Sequence, residues 1–202
     1  MKLKSIENQV RELYKNSDNE FMKAWFFENH VKVVSSYSEK IALEVKADIE
    51  ICVLSALFHD VARAWGVWND PQLMDESLKK AEELMGKEGY PQDKISEVKD
   101  AILYHSCEDV LPKTVEGKVV ATADALAHLM TDFYLVILYN KWIEKAKNLE
   151  TYRKWVLEKV DRDFNKKIFF DEWKTKSKER YEAICRTNGP NSQEYCAVWL
   201  NQ

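Results

Sequence analysis

Two stretches of this 202-residue chain, about 49–65 and 115–140, are apolar on almost every side, and each carries an aspartate. The first contains Ile49, Cys52, Val53, Ala56, Leu57, Phe58, Val61, Ala62 and Trp65; the second contains Val119, Val120, Ala121, Ala123, Ala125, Leu126, Leu129 and Met130. A helix without a polar face must be enclosed by others, so two such helices commit the chain to a bundle built around them. The aspartates, Asp60 and Asp124, then stand where a carboxylate is costly unless a cation meets it.

The rest of the chain supplies the enclosing helices. Apolar residues recur at spacings of three and four over residues 5–15, which reads as a lid or packing helix, and over 19–46, where Met22, Phe26, His30, Val33, Val34, Tyr37 and Ile41 put His30 on the buried face. A charged helix over 73–86 follows the Gly66 to Pro71 loop, and Ile95, Val98, Ile102 and His105 form a stripe after Gly89 to Pro91. Beyond Lys141, charged helices over 149–169, 171–186 and 191–200 are expected to pack on the outside of the core. With only 5 Gly and 4 Pro, strands and tight turns lack their punctuation, and the fold class expected is all-α. A single domain spanning 1–202 is expected, with a core over about 19–140 and a C-terminal helical extension over about 141–202.

The formal net charge of −4 lacks the basic face that long nucleic acids require, so a small substrate is expected. Residues 141–202 hold 14 Lys and Arg against 10 Asp and Glu, a mild excess that reads as a solvated surface with no role of its own. The longest apolar run, Phe133 to Tyr139, is far shorter than the roughly 18 residues of a membrane span. Cys52, Cys107, Cys185 and Cys196 form no C-x-x-C pair and the chain begins without a signal-peptide pattern, so reduced thiols in a cytoplasmic protein are expected. Cys107, two residues past His105, reads as structural.

His30, the adjacent His59 and Asp60, and Asp124 come from three helices and converge only if those helices pack together. Neighbouring helical residues point about 100° apart, so His59 and Asp60 share an ion only where other helices complete the shell. Two imidazoles and two carboxylates suit Mn, Mg, Fe, Co, Ni or Zn without choosing among them.

His30, the segment Ala-Leu-Phe-His59-Asp60-Val-Ala-Arg and the segment Ala-Thr-Ala-Asp124-Ala-Leu resemble the signature of the HD-domain metal-dependent phosphohydrolases, over about residues 25–130. Asp48-Ile-Glu before the His-Asp pair, Ala101-Ile-Leu-Tyr-His105-Ser and Val115-Glu-Gly-Lys add to the likeness, which is nearest to small single-domain bacterial and archaeal members. The resemblance implies an HD helical bundle with added C-terminal helices, one divalent cation on His30, His59, Asp60 and Asp124, and hydrolysis of a phosphate ester. A cation so held lowers the pKa of a water and polarises a phosphoryl oxygen.

Some members carry a further His after the HD helix and bind two metals, but that stretch reads Leu73-Met-Asp-Glu-Ser-Leu, so one metal per chain is expected. Asp60 and His105 are the expected catalytic groups, with His105 as general acid, phosphate donor or support to a ligand. Arg63 stands where the related nucleotidases have a catalytic Glu; its expected role is to bind substrate phosphate, with a structural ion pair as the alternative. Asp75 and Glu76, at the start of a helix, and His128, one turn beyond Asp124, could stand behind the ligands as supporting groups but read as solvent-facing or packing groups, and Trp65 and Trp68 as packing residues able to stack on a base. The whole reading is a phosphohydrolase acting on a small phosphorylated metabolite, a nucleotide above all. The alternative is a degenerate module that binds a nucleotide or protein partner. No motif specifies the oligomeric state.

Overall fold

In the computed structural model, residues 2–68, 70–139 and 149–189 are described, and among them the secondary structure is helical throughout. The elements are α1 (Lys2–Lys15), a π-helical segment (Met22–Val31) running into α2 (Lys32–Val45), α3 (Ile49–Phe58), a 3₁₀ turn (Val61–Trp65), α4 (Asp70–Lys87), α5 (Gln92–Leu103), α6 (Val115–Leu129), α7 (Phe133–Ile137), α8 (Leu149–Arg162), a π-helical turn (Asp163–Lys167) and α9 (Asp171–Asn188). The all-α expectation is met, and none of the described helices is long and apolar enough to cross a membrane.

Helices α3 and α6 form the centre. Every residue of α3 from Ile51 to Phe58 is buried, as is every residue of α6 from Val119 to Leu129. Both start on side-chain caps: Asp48 accepts from the Ile51 amide at 3.0 Å, and Thr114 from the Gly117 amide at 3.1 Å. Gly117 lies against the neighbouring loop and helix so closely that a Cβ there would stand 2.8 Å from that of Pro112. One cluster of buried side chains joins α1, the π-helical segment, α3, α4 and α5; a second joins α2, α3, α6, α8 and α9. Helix α1 is a packing helix, burying Ile6, Val10 and Tyr14.

Three expectations are corrected. The helix expected over 49–65 ends at Phe58, and Asp60 leaves helical geometry with φ −124° and ψ 17°. Its carbonyl receives the Tyr14 hydroxyl at 2.9 Å and the Arg63 amide at 3.0 Å, so a tertiary contact and a 3₁₀ bond replace the next helical turn. Gly66, at φ +83°, closes this turn in the left-handed region glycine favours. The helix expected over 115–140 ends at Leu129. There Thr131 donates to the Ala127 carbonyl and accepts from the Phe133 amide, while the Arg180 guanidinium of α9 caps the Leu129 and Thr131 carbonyls at 3.1 and 3.2 Å.

The third correction concerns the C-terminal helices, which do not simply pack outside. The stripe Tyr152, Val156, Val160 of α8 continues through Asp163, Phe164 and Lys167, which are all buried. The Thr122 hydroxyl of α6 donates to the Lys167 carbonyl at 3.0 Å and accepts from the Phe169 amide at 3.1 Å. This end of the chain therefore reaches the centre of the bundle. The short helix expected over 191–200, with Cys196, lies outside the described residues.

Candidate metal centre

The break after α3 gives His59 and Asp60 a common direction that a continuous helix denies them. His30 comes from the π-helical segment and Asp124 from the middle of α6, and all four residues are at most 9% exposed. His30 Nε2 lies 3.1 Å from His59 Nε2 and 3.4 Å from Asp124 Oδ1. His59 Nε2 lies 3.7 Å from Asp124 Oδ1 and 4.0 Å from Asp60 Oδ2. The structure thus brings together the four residues singled out in the sequence.

Bonding around these atoms fits a cation. His59 Nδ1 donates to the Ala56 carbonyl at 2.7 Å, so its Nε2 presents a lone pair. A proton on His30 Nε2 can serve that lone pair, but then His30 Nδ1 and Asp124 Oδ1 stay buried without hydrogen-bond partners. A divalent ion among Nε2 of both rings and the carboxylate oxygens takes up Asp124 Oδ1 and both Nε2 lone pairs at once, leaving His30 Nδ1 as the unpartnered atom. His30, His59 and Asp60 offer one set of ligand atoms within 4.8 Å of one another; His30, Asp124 and His128 offer a second.

The charges are arranged accordingly. Burial pushes the Asp60 carboxyl up, but the Arg63 guanidinium and the surrounding imidazoles hold it below its ordinary range. Burial likewise opposes ionisation of Asp124, and the Lys167 ammonium on its Oδ2 helps to hold it below its ordinary range. Burial lowers the His30 and His128 imidazoles, keeping them neutral near pH 7, the form that ligates metals.

Arg63 pairs with Asp60 through Nε at 2.7 Å, so the ion-pair alternative describes this contact, although the side chain also borders the pocket and lies over the Trp68 ring at 5.5 Å. His105 sits in the turn after α5, not on its stripe. Its Nδ1 donates to the Ile102 carbonyl at 2.7 Å, and its ring meets that of His59 edge-on at 5.2 Å. Burial depresses its pKa to about 4. Cys107 is buried at φ +52°, with Sγ 3.6 Å from the Tyr104 carbonyl and burial raising its pKa to about 11, which suits the structural role expected of it. Asp75 is exposed; Glu76 accepts from the indole of Trp65; His128 is buried beside Asp124.

Sequence reasoning gave no role to Lys159, Asp163 and Lys167. The Lys167 ammonium contacts Asp124 Oδ2 directly and lies 3.7 Å from Asp163 Oδ1. Asp163 Oδ2 accepts from His128 at 3.0 Å and from the Tyr134 hydroxyl at 3.1 Å, with Lys159 3.6 Å away. The available signal was that Asp163 and Lys167 fall in phase with the apolar stripe of α8, which places charges inside and not on the solvated face.

Asp60 and Asp124 of the metal cluster, with His105 and His128, line a cavity of about 480 Å³. Arg63, Lys159, Arg162 and Lys167 line it, with Trp68 and Trp155. Against those four cations stand the carboxylates of Asp60, Glu108 and Asp124 in the lining.

Fold and site together define an all-helical protein built around a buried cluster of His and Asp residues able to hold a divalent metal. The model of the HD domain family matches residues 27–129, and the chain belongs to that family, whose domains are metal-dependent and form a phosphohydrolase superfamily. Among solved structures, that of a predicted HD superfamily hydrolase from an uncultured Thermotogales bacterium shares the fold. It has a TM-score of 0.63 and 19% identity over 97% of this chain and 92% of that one. No curated protein matches the chain.

Proposed function

We propose that the protein is a metal-dependent phosphohydrolase of a small phosphorylated metabolite, a nucleotide above all, with one divalent ion on His30, His59, Asp60 and Asp124. The observation that carries this reading is the cavity itself: Asp60 and Asp124 of the proposed ligand set line it together with the cationic side chains Arg63, Lys159, Arg162 and Lys167. The four cations are balanced by Asp60, Glu108, Asp124 and, behind Lys159 and Lys167, Asp163, so a divalent ion would turn the pocket positive, and a phosphate dianion answers that charge.

When bound, the ion supplies Lewis acidity, lowering the pKa of a water and polarising a phosphoryl oxygen. The chain's own residues do the rest. Arg63 holds Asp60 ionised and in place and borders the phosphate space. His105, neutral at pH 7 with Nδ1–H on the Ile102 carbonyl, lines the cavity with a lone pair left on Nε2 and is proposed to take a proton from the attacking water. Arg162, held by Glu108 at 2.7 Å, and Lys159 orient the phosphate, and the faces of Trp68 and Trp155 are placed to stack on a base.

The test is phosphate release by the metal-free full chain, resupplied in turn with Mn²⁺, Mg²⁺, Fe²⁺, Co²⁺, Ni²⁺ and Zn²⁺, against nucleotides, sugar phosphates and phosphodiesters. Metal-dependent turnover of a nucleotide supports the reading. Nucleotide binding without turnover under any metal would make the chain a binding module instead.

A further inference from the structure

His128 follows Asp124 by four residues, which puts both side chains on one face of α6. Its ring is 5% exposed and stacks on that of His30, with centroids 5.1 Å apart and planes 6° from parallel. Asp163 Oδ2 lies 3.0 Å from His128 Nδ1 and fixes the proton there. The other nitrogen, Nε2, therefore carries a lone pair, and it faces Asp124 Oδ1 at 3.3 Å.

That oxygen is itself buried with no hydrogen-bond partner. Two lone pairs this close, sealed from water, repel each other unless a cation lies between them. The same oxygen faces His30 Nε2 at 3.4 Å and His59 Nε2 at 3.7 Å, so three imidazole nitrogens converge on one carboxylate atom. Asp124 Oδ2 is taken by the Lys167 ammonium, which leaves Oδ1 as its ligating atom.

We infer that His128 is a further metal ligand, a third imidazole beside His30 and His59, set in its ligating tautomer by Asp163 and bound to the ion that Asp124 Oδ1 shares. Asp163 is then a positioning residue: a carboxylate behind a ligating imidazole fixes its orientation and raises its basicity. The Lys167 ammonium, shared by Asp124 and Asp163, keeps both carboxylates charged in the interior. A shell of three imidazoles and two carboxylates selects Fe²⁺, Co²⁺, Ni²⁺ or Zn²⁺ over Mg²⁺. This rests on the proposed metal centre and adds a ligand to it.

The test uses Co²⁺ bound to the full-length chain, read by titration calorimetry and by the hyperfine-shifted imidazole N–H resonances in the proton NMR spectrum. The wild type should show three such resonances, and His128→Asn two, with weaker Co²⁺ binding. Asp163→Asn keeps an acceptor for the ring N–H, preserves the packing if His128→Asn does not fold, and should weaken Co²⁺ binding about 10- to 100-fold. A wild type with two resonances and tight binding, or unchanged affinity in both variants, overturns the role of His128 while leaving the metal centre intact. A wild type that binds no divalent ion overturns both.

Discussion

Replacing Lys167 with Met keeps the length of the side chain and removes its charge, isolating what the ammonium does. It touches Asp124 Oδ2 and lies 3.7 Å from Asp163 Oδ1, and the lysine side chain is 3% exposed. At an effective dielectric of about 20, a pair at that longer distance is worth about 4.5 kcal/mol before the cost of burying the charges. Removing one partner from a buried pair costs about 3–5 kcal/mol, because the remaining charge is left uncompensated. For a chain of this size each kcal/mol moves Tm by about 2–4 °C, so metal-free Lys167→Met should melt about 10 °C below the metal-free wild type. Saturating Zn²⁺ should narrow the gap, since the ion restores positive charge beside Asp124. The assay is thermal unfolding followed by circular dichroism, with and without Zn²⁺. A metal-free Tm within about 1 °C of wild type would refute the claim that this C-terminal lysine is the interior counter-ion.

Three further outcomes follow from the site. Asp60→Ala should lose bound metal and hydrolysis yet keep its helical circular dichroism; full metal occupancy in elemental analysis would show that Asp60 is not a ligand. His105→Gln should keep its metal and lose about 10²–10⁴ in turnover, whereas loss of metal would make His105 a ligand. Burial depresses the His105 pKa to about 4 and also lowers His30 and His128. The unfolded chain therefore binds more protons than the folded one between about pH 6.5 and pH 4. Metal-free protein should be fully stabilised by these groups above about pH 6.5 and lose stability as pH falls through that window. A melting temperature that rises on acidification there contradicts the assignment.

The four residues of the cluster could be read in the sequence because burial of an ionisable group leaves a trace in the helical period. Asp60 and Asp124 stand inside stretches without a polar face, and His30 falls on the apolar stripe of its helix. Asp163 and Lys167 left a fainter trace: they sit among charged residues that are solvated, and only their phase with Tyr152, Val156 and Val160 marks them as buried. The breaks at Asp60 and Thr131 carry no glycine or proline. They are imposed from afar, by Tyr14 on the Asp60 carbonyl and by Arg180 on the end of α6, contacts that span 46 and 49–51 residues. Gly66, by contrast, marked its own turn. Arg63 shows the limit of reading a role from position alone, since its spacing from Asp60 suited phosphate and carboxylate equally, and the guanidinium is on the carboxylate.

A single divalent ion in this cluster is proposed to make the chain a phosphohydrolase. This is tested most directly by titrating the metal-free protein with Mn²⁺ or Co²⁺ while following phosphate release from a nucleotide, with bound metal measured on the same samples. Release should rise with occupancy, saturate at one ion per chain and be absent in Asp60→Ala. Release that ignores metal content, or a fully occupied protein that releases no phosphate from any nucleotide or other phosphate ester tested, would contradict this reading.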